Sequence, residues 1–243
     1  MILDYEVMLA LGIIGFYLYD SSMLIYVNEL VFSEHNGTWS FSYPKPNFQF
    51  LKKFLYIPNP LTPYRPIFRV FWSVNEINHS LQNKVDLQSF ITALHPLRYM
   101  TYCLCFLLFF GLPIIVFILN TNSDLSLIFL FCGIYINILV MLSQIYRQKE
   151  TLGLSRKVFV KLAIDSLACP PFALNLLRKI SLNYSLGTPP VFFARHFFPN
   201  ETFEQLINVL SHKIDDELKM EDKESDRHIA LEEYKNKIMS MLI

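Results

Sequence analysis

Two long apolar segments in the middle of the chain dominate its hydropathy pattern. Residues 99–119 and 125–145 contain no charged side chain, and only residues 120–124 separate them. Each segment has about 20 residues, which at about 1.5 Å per residue is enough to cross the ~30 Å hydrocarbon core of a bilayer. The pattern therefore predicts a transmembrane hairpin.

A third apolar segment lies near the N-terminus, at residues 7–27. The residues before it include Asp4 and Glu6 but no lysine or arginine, whereas a cleaved signal peptide begins with a basic stretch. We therefore expect this segment to be a retained membrane helix, which brings the number of crossings to three.

The distribution of basic residues predicts the orientation of these helices. Lysine and arginine are absent from the N-terminal tip and from residues 120–124, whereas residues 33–98 contain seven and residues 147–161 contain five. Because basic residues are retained on the cytoplasmic side, we expect the N-terminus outside and the C-terminus inside. Nearly all of the chain outside the bilayer then lies in the cytoplasm.

The segment between the first and second spans predicts a small β-rich element. Aromatic and polar residues alternate at residues 39–43 and 48–50, and residues 67–74 are rich in aromatic and β-branched side chains. Residues 57–66 contain four prolines, which exclude a helix or a central strand. We expect this proline-rich segment to be an extended connector that packs on the strands.

Amphipathic patterns predict interfacial helices on either side of the hairpin. Residues 75–94 have the spacing of a helix that ends before Pro96. Residues 158–177 are apolar enough to suggest a fourth crossing, but they contain two charges and the adjacent Pro170 and Pro171. Two short helices at the cytoplasmic interface fit this segment better, although a re-entrant hairpin is the alternative.

Two more amphipathic helices are predicted near the C-terminus, with apolar stripes at residues 203–218 and 231–241. Residues 201–243 carry six basic and eleven acidic side chains, so this tail is acidic. Its helices need a surface to cover, and they either fold back on the β-rich element or dock on a partner protein.

The predicted fold class is an α-helical polytopic membrane protein with three transmembrane helices, a small β-rich cytoplasmic element and amphipathic C-terminal helices. The predicted segments are a first transmembrane helix at residues 1–32, the β-rich element and its helix at 33–97, the hairpin at 98–146, interfacial helices and loops at 147–199, and the acidic helical tail at 200–243.

Polar residues inside the predicted spans are candidates for contacts between helices. Asp20 is the one charge well inside a span, and its insertion costs about 2.5–3.5 kcal/mol. Counted from the outer ends, Asp20 lies at the depth of Asn137, and Asn28 lies close to the depth of Gln144. We expect these two pairs to join the first and third spans. The alternatives are that Asp20 belongs to a proton or cation path or contacts another subunit.

Basic residues close to the predicted inner membrane surface are candidates for contacts with lipid headgroups, and they are Arg65, Arg69, His95, Arg178 and Lys179. The chain as a whole carries 21 basic and 21 acidic groups, so it has no net field that would attract nucleic acid.

Sequence motifs for catalysis are missing. The chain has seven glycines and no glycine-rich phosphate loop, and its six histidines and four cysteines do not have the spacing of a metal site. We therefore expect no metal, no cofactor and no catalytic residue.

A non-catalytic accessory or scaffold protein of a bacterial inner membrane fits these observations best. It would contact the bilayer and assemble with a protein partner, or with itself, through its cytoplasmic face. Two alternatives are a small transporter or proton-coupled subunit that uses Asp20, and a membrane-embedded enzyme that acts on a lipid or a quinone.

Overall fold

The computed structural model describes residues 5–26, 28–43, 49–50, 53–73, 84–111, 113–115, 124–186, 188–220 and 225–242. The protein is mostly helical, with a small amount of antiparallel sheet. The strands are β1 (Met23–Tyr26), β2 (Glu29–His35), β3 (Thr38–Ser42), β4 (Gln49–Phe50), β5 (Lys53–Tyr56) and β6 (Ile67–Phe71). The helices are α1 (Tyr5–Ser21), α2 (Lys84–Phe106), α3 (Asp124–Arg147), α4 (Arg156–Ala168), α5 (Pro170–Ala173), α6 (Leu176–Leu182), α7 (Pro190–Phe197), α8 (Asn200–Leu218) and α9 (Asp226–Met239).

The helix predicted for residues 7–27 is wrong after residue 21, because α1 ends at Ser21 and the chain continues as strand β1. The Ser21 hydroxyl donates to the Tyr17 carbonyl, and the Ser22 hydroxyl donates to the Tyr19 carbonyl. Such local side-chain bonds compete with helix continuation. The residues that follow pair antiparallel with β5, so a tertiary strand partner decides their conformation.

The strands form two three-stranded antiparallel sheets, with the orders β1-β5-β4 and β3-β2-β6. The second sheet is built on a tight hairpin in which Asn36 and Gly37 both have positive φ, as a two-residue turn of this type requires. The predicted strands at residues 39–43 and 67–74 correspond to β3 and β6, whereas β1, β2 and β5 were not predicted.

Helix α2 is longer than the sequence pattern predicts. The predicted helix end before Pro96 is wrong, because α2 runs without interruption from Lys84 to Phe106 with Pro96 inside it. Residues 75–83, the first part of the predicted helix, lie outside the described residues. A π-helical turn at Leu107–Gly111 follows α2 directly. Such wide turns are one way in which a helix accommodates a break in its regular hydrogen bonding.

Two helical segments, Leu87–Gly111 and Leu125–Arg147, are long and apolar enough to cross a membrane by length and composition. The second agrees closely with the predicted span at residues 125–145. The three predicted crossings therefore reduce to two helices of sufficient length among the described residues, because α1 has only 17 residues.

Short helices cover the rest of the body. Residues 158–177 break at Pro170 and Pro171 as expected, which separates α4 from α5. Helices α8 and α9 pack on each other and fold back on the sheets, with the Tyr234 ring stacked on that of Trp72. The apolar stripes predicted for these two helices are buried at Phe203, Leu206, Leu210, Ile214, Leu231, Tyr234 and Ile238.

One hydrophobic core connects the β3-β2-β6 sheet with helices from both the N-terminal and the C-terminal half of the chain. Phe68 contacts Phe90 of α2 and Tyr184 after α6, and Phe32 stacks on Phe193 of α7. The inner half of α2, up to Leu97, is therefore part of the hydrophobic core. Its outer half, from Arg98 to Phe106, extends beyond the sheets.

The partly buried Lys213 of α8 is expected to lower the stability of the protein, and this expectation can be tested. Burial lowers its pKa from the ordinary 10.5 to about 8, and its ammonium group lies 5.9 Å from the centre of the Tyr43 ring. Between pH 8 and 10.5 the unfolded chain binds more protons than the folded one, so this group costs stability below pH 8 and the cost disappears above 10.5. We expect Lys213→Met to raise the unfolding temperature at pH 7 by a few degrees, on the order of 1 kcal/mol.

The measurement is thermal unfolding in mild detergent from pH 6.5 to 10.5, where the advantage of the variant should shrink as the pH rises. Lys237→Met, at an exposed position on α9, is the matched control and should change little at any pH. A difference between wild type and Lys213→Met that does not depend on pH would contradict the prediction.

Candidate functional site

Exposed apolar side chains form one extended surface on the helices. Most of the large apolar residues that are exposed within the described ranges lie on α1, on the outer half of α2 with the turn that follows it, on α3 and on α4. On α3 these side chains surround much of the helix, and only 28% of its most apolar 18-residue stretch is buried. Examples are Leu11 and Phe16 on α1, Phe106 on α2, Phe129 and Ile136 on α3, and Ile164 on α4.

A polar junction lies where this surface meets the body. It consists of Tyr17, Asp20, Asn175, Arg178 and Lys179, so it joins the end of α1 to the start of α6. The residues come from distant parts of the sequence, and the junction holds them together with direct hydrogen bonds.

Arg178 is the central residue of the polar junction and is only 3% exposed. Its Nη2 donates to the carbonyls of Asn59 and Thr62, both at 2.7 Å. Burial lowers the pKa of its guanidinium, and nearby Tyr17 opposes that shift. The expected headgroup contact of Arg178 is wrong, because its donors bind the proline-rich connector inside the protein.

The proline-rich connector is held from a second direction. The Tyr17 hydroxyl donates to the Pro60 carbonyl at 2.6 Å, and Arg178 Nη1 lies 3.5 Å from the same hydroxyl. A proline-rich segment lacks several backbone N–H groups and cannot satisfy its carbonyls in a ladder, so side-chain donors do so here. This supports the expectation that the segment packs on its own fold.

Asp20 has its partners within the polar junction. One carboxylate oxygen lies 2.6 Å from Lys179 Nζ, and the other accepts from the Asn175 amide at 3.0 Å. Asp20 is the next to last residue of α1 and is not in the middle of a span. Its expected pairing with Asn137 is replaced by this ion pair with Lys179.

The other predicted intramembrane contacts are not brought together either. Asn28 is exposed in the turn between β1 and β2, where its carbonyl accepts from the Trp72 amide, so its expected place in a membrane helix is wrong. Asn137 and Gln144 both lie on α3. The side-chain oxygen of Asn137 is buried, and no hydrogen-bond partner for it occurs among the described residues.

Arg69 also lies in a different environment from the one expected. Its guanidinium binds the carboxylate of Glu29, at 2.6 Å and 2.7 Å to the two oxygens, and Glu29 is fully buried. The Tyr26 amide donates to the same carboxylate. Arg69 therefore neutralises a buried acid within the sheets instead of facing headgroups.

A polar cleft of about 710 Å³ opens beside the inner half of α2. Buried Glu34 and Arg98 form an ion pair at its edge, and Glu34 also accepts from the Gly37 amide. His95 is exposed at the rim with its ring against Tyr99. The volume lies in the range of small-molecule sites.

The chemistry available in the polar cleft is limited by its own ion pair. Both oxygens of Glu34 are bound, one by the Gly37 amide and the other by Arg98, so this side chain is held in place and is not free to contact a ligand. Burial, then Arg65 and Arg98, lower the pKa of His35, which keeps that imidazole neutral near pH 7. Of the expected headgroup residues, His95 lines this cleft, and Arg65 lies close to His35.

No protein-family model, curated protein or solved structure matches this chain. The candidate sites must therefore be judged on their geometry. Among the residues that the structure describes, no group of histidines, cysteines and acids could hold a metal ion, and all four cysteines are unpaired thiols.

The Glu34–Arg98 pair and the role of Arg178 were both missed from the sequence. The Asn36-Gly37 dipeptide is a strong hairpin signal that would have predicted β2 and placed Glu34 beside the turn. Arg178 gives no such local signal, because its partners lie 116 and 119 residues away.

Arg178→Met is expected to destabilise the protein strongly. The change keeps much of the side-chain volume but leaves the carbonyls of Asn59 and Thr62 without donors, at a cost of about 3 kcal/mol. For a chain of this size that corresponds to a fall of about 6–12 °C in the unfolding temperature. The measurement is thermal unfolding in detergent, with the exposed Arg195→Met as the control. Equal unfolding temperatures for the two variants would exclude a central role for Arg178.

The Asp20–Lys179 pair can be tested by a double-mutant cycle. Asp20→Asn and Lys179→Met each leave a charge in a mostly buried environment, so each should destabilise the protein, while the double variant removes both charges. We expect the double variant to be more stable than the sum predicts, by about 1–2 kcal/mol in the free energy of unfolding from denaturant titration. The control cycle pairs Asp20→Asn with Lys237→Met, which should be additive. Additivity in both cycles would exclude the coupling.

Proposed function

We propose that this protein is a non-catalytic accessory protein of a bacterial inner membrane, which holds a folded cytoplasmic body at the membrane surface and assembles there with a protein partner. The proposal combines a membrane location, an orientation and a docking role. Each of these has its own support.

The distribution of exposed apolar side chains supports the membrane location. A helix in the core of a soluble protein is mostly buried, whereas most of α3 is exposed and carries Leu125, Phe129, Ile136 and Leu139 on its surface. An exposed apolar surface of this extent is costly in water and is typical of contact with lipid. The same surface continues over α1 and the outer half of α2.

The position of basic residues supports the orientation. Helix α4 exposes Val160, Ile164 and Leu167 together with Lys157 and Lys161. A helix of this kind lies in the interface with its basic residues toward headgroups. Since α4 follows α3 after a short connection, the inner end of α3 and the body lie on the side with the basic residues.

The exposed acidic face of α8 and α9 supports the docking role. The apolar stripes of both helices are used inside the fold, and the surface that remains includes the exposed acids Glu201, Glu204, Glu232 and Glu233 as well as the exposed Arg227 and Lys237. We infer a partner with a basic surface, because complementary charge steers association and selects partners.

The geometry gives less support to a transporter that works through Asp20. A proton or cation site needs a carboxylate that can change its charge or its partners, and Asp20 is bound by both Lys179 and Asn175 at the end of α1. A structural role accounts for these contacts.

Photo-cross-linking in intact cells tests the proposal. A photoreactive amino acid replaces Glu204 on the acidic face in one variant and Phe129 on α3 in the other. We expect both variants to stay in the membrane fraction after an alkaline wash. Only the Glu204 variant should give a discrete protein adduct, and that adduct should weaken at high salt because the proposed contact is electrostatic.

The Phe129 variant is the matched control, because its side chain is proposed to face lipid. Recovery of either variant in the soluble fraction would contradict the membrane location. A membrane-bound Glu204 variant that gives no discrete adduct would contradict the docking role.

A further inference from the structure

An apolar groove of about 440 Å³ lies between α1, the π-helical turn, α3 and the junction of α4 with α5. Its lining is apolar except for Cys169, which ends α4 in an extended conformation before the two prolines of α5. Leu108 and Ile134 form the wall on the side of α2 and α3. The groove is separate from the polar cleft.

Helix α1 supplies the groove with an open notch. Met8, Gly12 and Phe16 all line the groove, and they are spaced four residues apart, so they share one face of the helix. A Cβ atom added at Gly12 would meet no atom within 4 Å. The missing side chain of Gly12 therefore leaves space that the protein does not fill.

One end of the groove reaches the charged pair of the polar junction. Asp20 follows Phe16 on the same face of α1, and Phe16 contacts the ring of Phe172 edge-on at 6.4 Å. The ammonium of Lys179 lies over that ring at 5.2 Å and binds Asp20. An apolar groove with a charged pair beyond one end suits an amphiphile, because such a ligand has an apolar chain and a polar head.

The groove also opens onto the exposed apolar surface of the helices. Met8, Phe16 and Phe131 line the groove and are exposed at the same time. Its contents can therefore exchange with the surface that we propose to face lipid, and a water-soluble ligand would have to cross an apolar wall to enter it.

We propose that this groove binds one acyl chain of a membrane phospholipid, with the headgroup beside Asp20 and Lys179. The chain lies along α1 in the space that Gly12 leaves open. The ion pair offers one charge of each sign, which complements the phosphate and the amine of a zwitterionic headgroup. The inference rests on the proposed membrane location but not on the proposed protein partner.

The test uses the full-length protein, delipidated in mild detergent and returned to vesicles of a zwitterionic phospholipid. A fraction of that phospholipid carries a diazirine in the middle of one acyl chain. After irradiation, peptide mapping should find labels concentrated on residues 8–16 and 168–171, and native mass spectrometry should find one retained phospholipid for each protein chain.

A Cβ atom at Gly12 meets no atom within 4 Å, so Gly12→Phe places its ring in the notch and should lower the labelling of residues 168–171 at least tenfold. Gly15→Phe is the matched control, because a Cβ atom at Gly15 also meets no atom within 4 Å but Gly15 does not line the groove. Ala168→Phe blocks the groove from its other side and replaces Gly12→Phe if that variant does not fold.

Labels spread evenly over the exposed faces of α1 and α3, with no effect of Gly12→Phe or Ala168→Phe, would overturn the proposal and indicate ordinary bilayer contact only. Failure of the membrane location gives a different result, because the exposed residues Phe129 and Ile136 of α3 would then remain unlabelled as well.

Discussion

The structure depends on the buried side chain of Arg178 and on the carbonyls that it binds. Arg178 is almost completely buried, and two of its hydrogen bonds reach the connector between β5 and β6 while a third contact reaches Tyr17. A buried guanidinium is unfavourable unless its donors are used, and a proline-rich connector is unfavourable unless its carbonyls are. The Nη2 group of Arg178 and the carbonyls of Asn59 and Thr62 satisfy each other. One residue thus fixes the connector, the end of α1 and the start of α6 relative to one another.

This constraint also explains why α1 is short. Tyr17, Asp20 and Ser21 form the last turn of the helix, and all three use their side chains in contacts with the junction or the local backbone. These contacts hold the last turn of α1 against Asn175 and Arg178, and the chain continues from there as strand β1. The exposed Leu11, Ile14 and Phe16 of α1 therefore belong to the apolar surface, while its last turn belongs to the body.

The sequence predicted the elements whose signal is local. Helix α3 followed from an uninterrupted apolar segment, the break before α5 from two prolines, and the burial pattern of α8 and α9 from their apolar spacing. Strand β1 was missed because its residues are equally compatible with an apolar helix and only their pairing with β5 decides between the two. The break predicted at Pro96 failed because α2 packs on the core on the N-terminal side of that residue and can absorb the lost hydrogen bond.

The candidate sites could be predicted only in part, because each of them depends on residues that are distant in sequence. The sequence indicated that Asp20 needs a partner, yet matching by depth pointed to Asn137, since an ion pair with Lys179 requires α6 to return to the end of α1. The groove is still less visible in the sequence, because it is a space between four elements. A glycine on a helix indicates missing volume, and only the packing of neighbouring elements decides whether that volume is filled. At Gly12 the volume stays open, and the Asp20–Lys179 pair lies beyond one end of the groove. The groove therefore has one charged end and one apolar end.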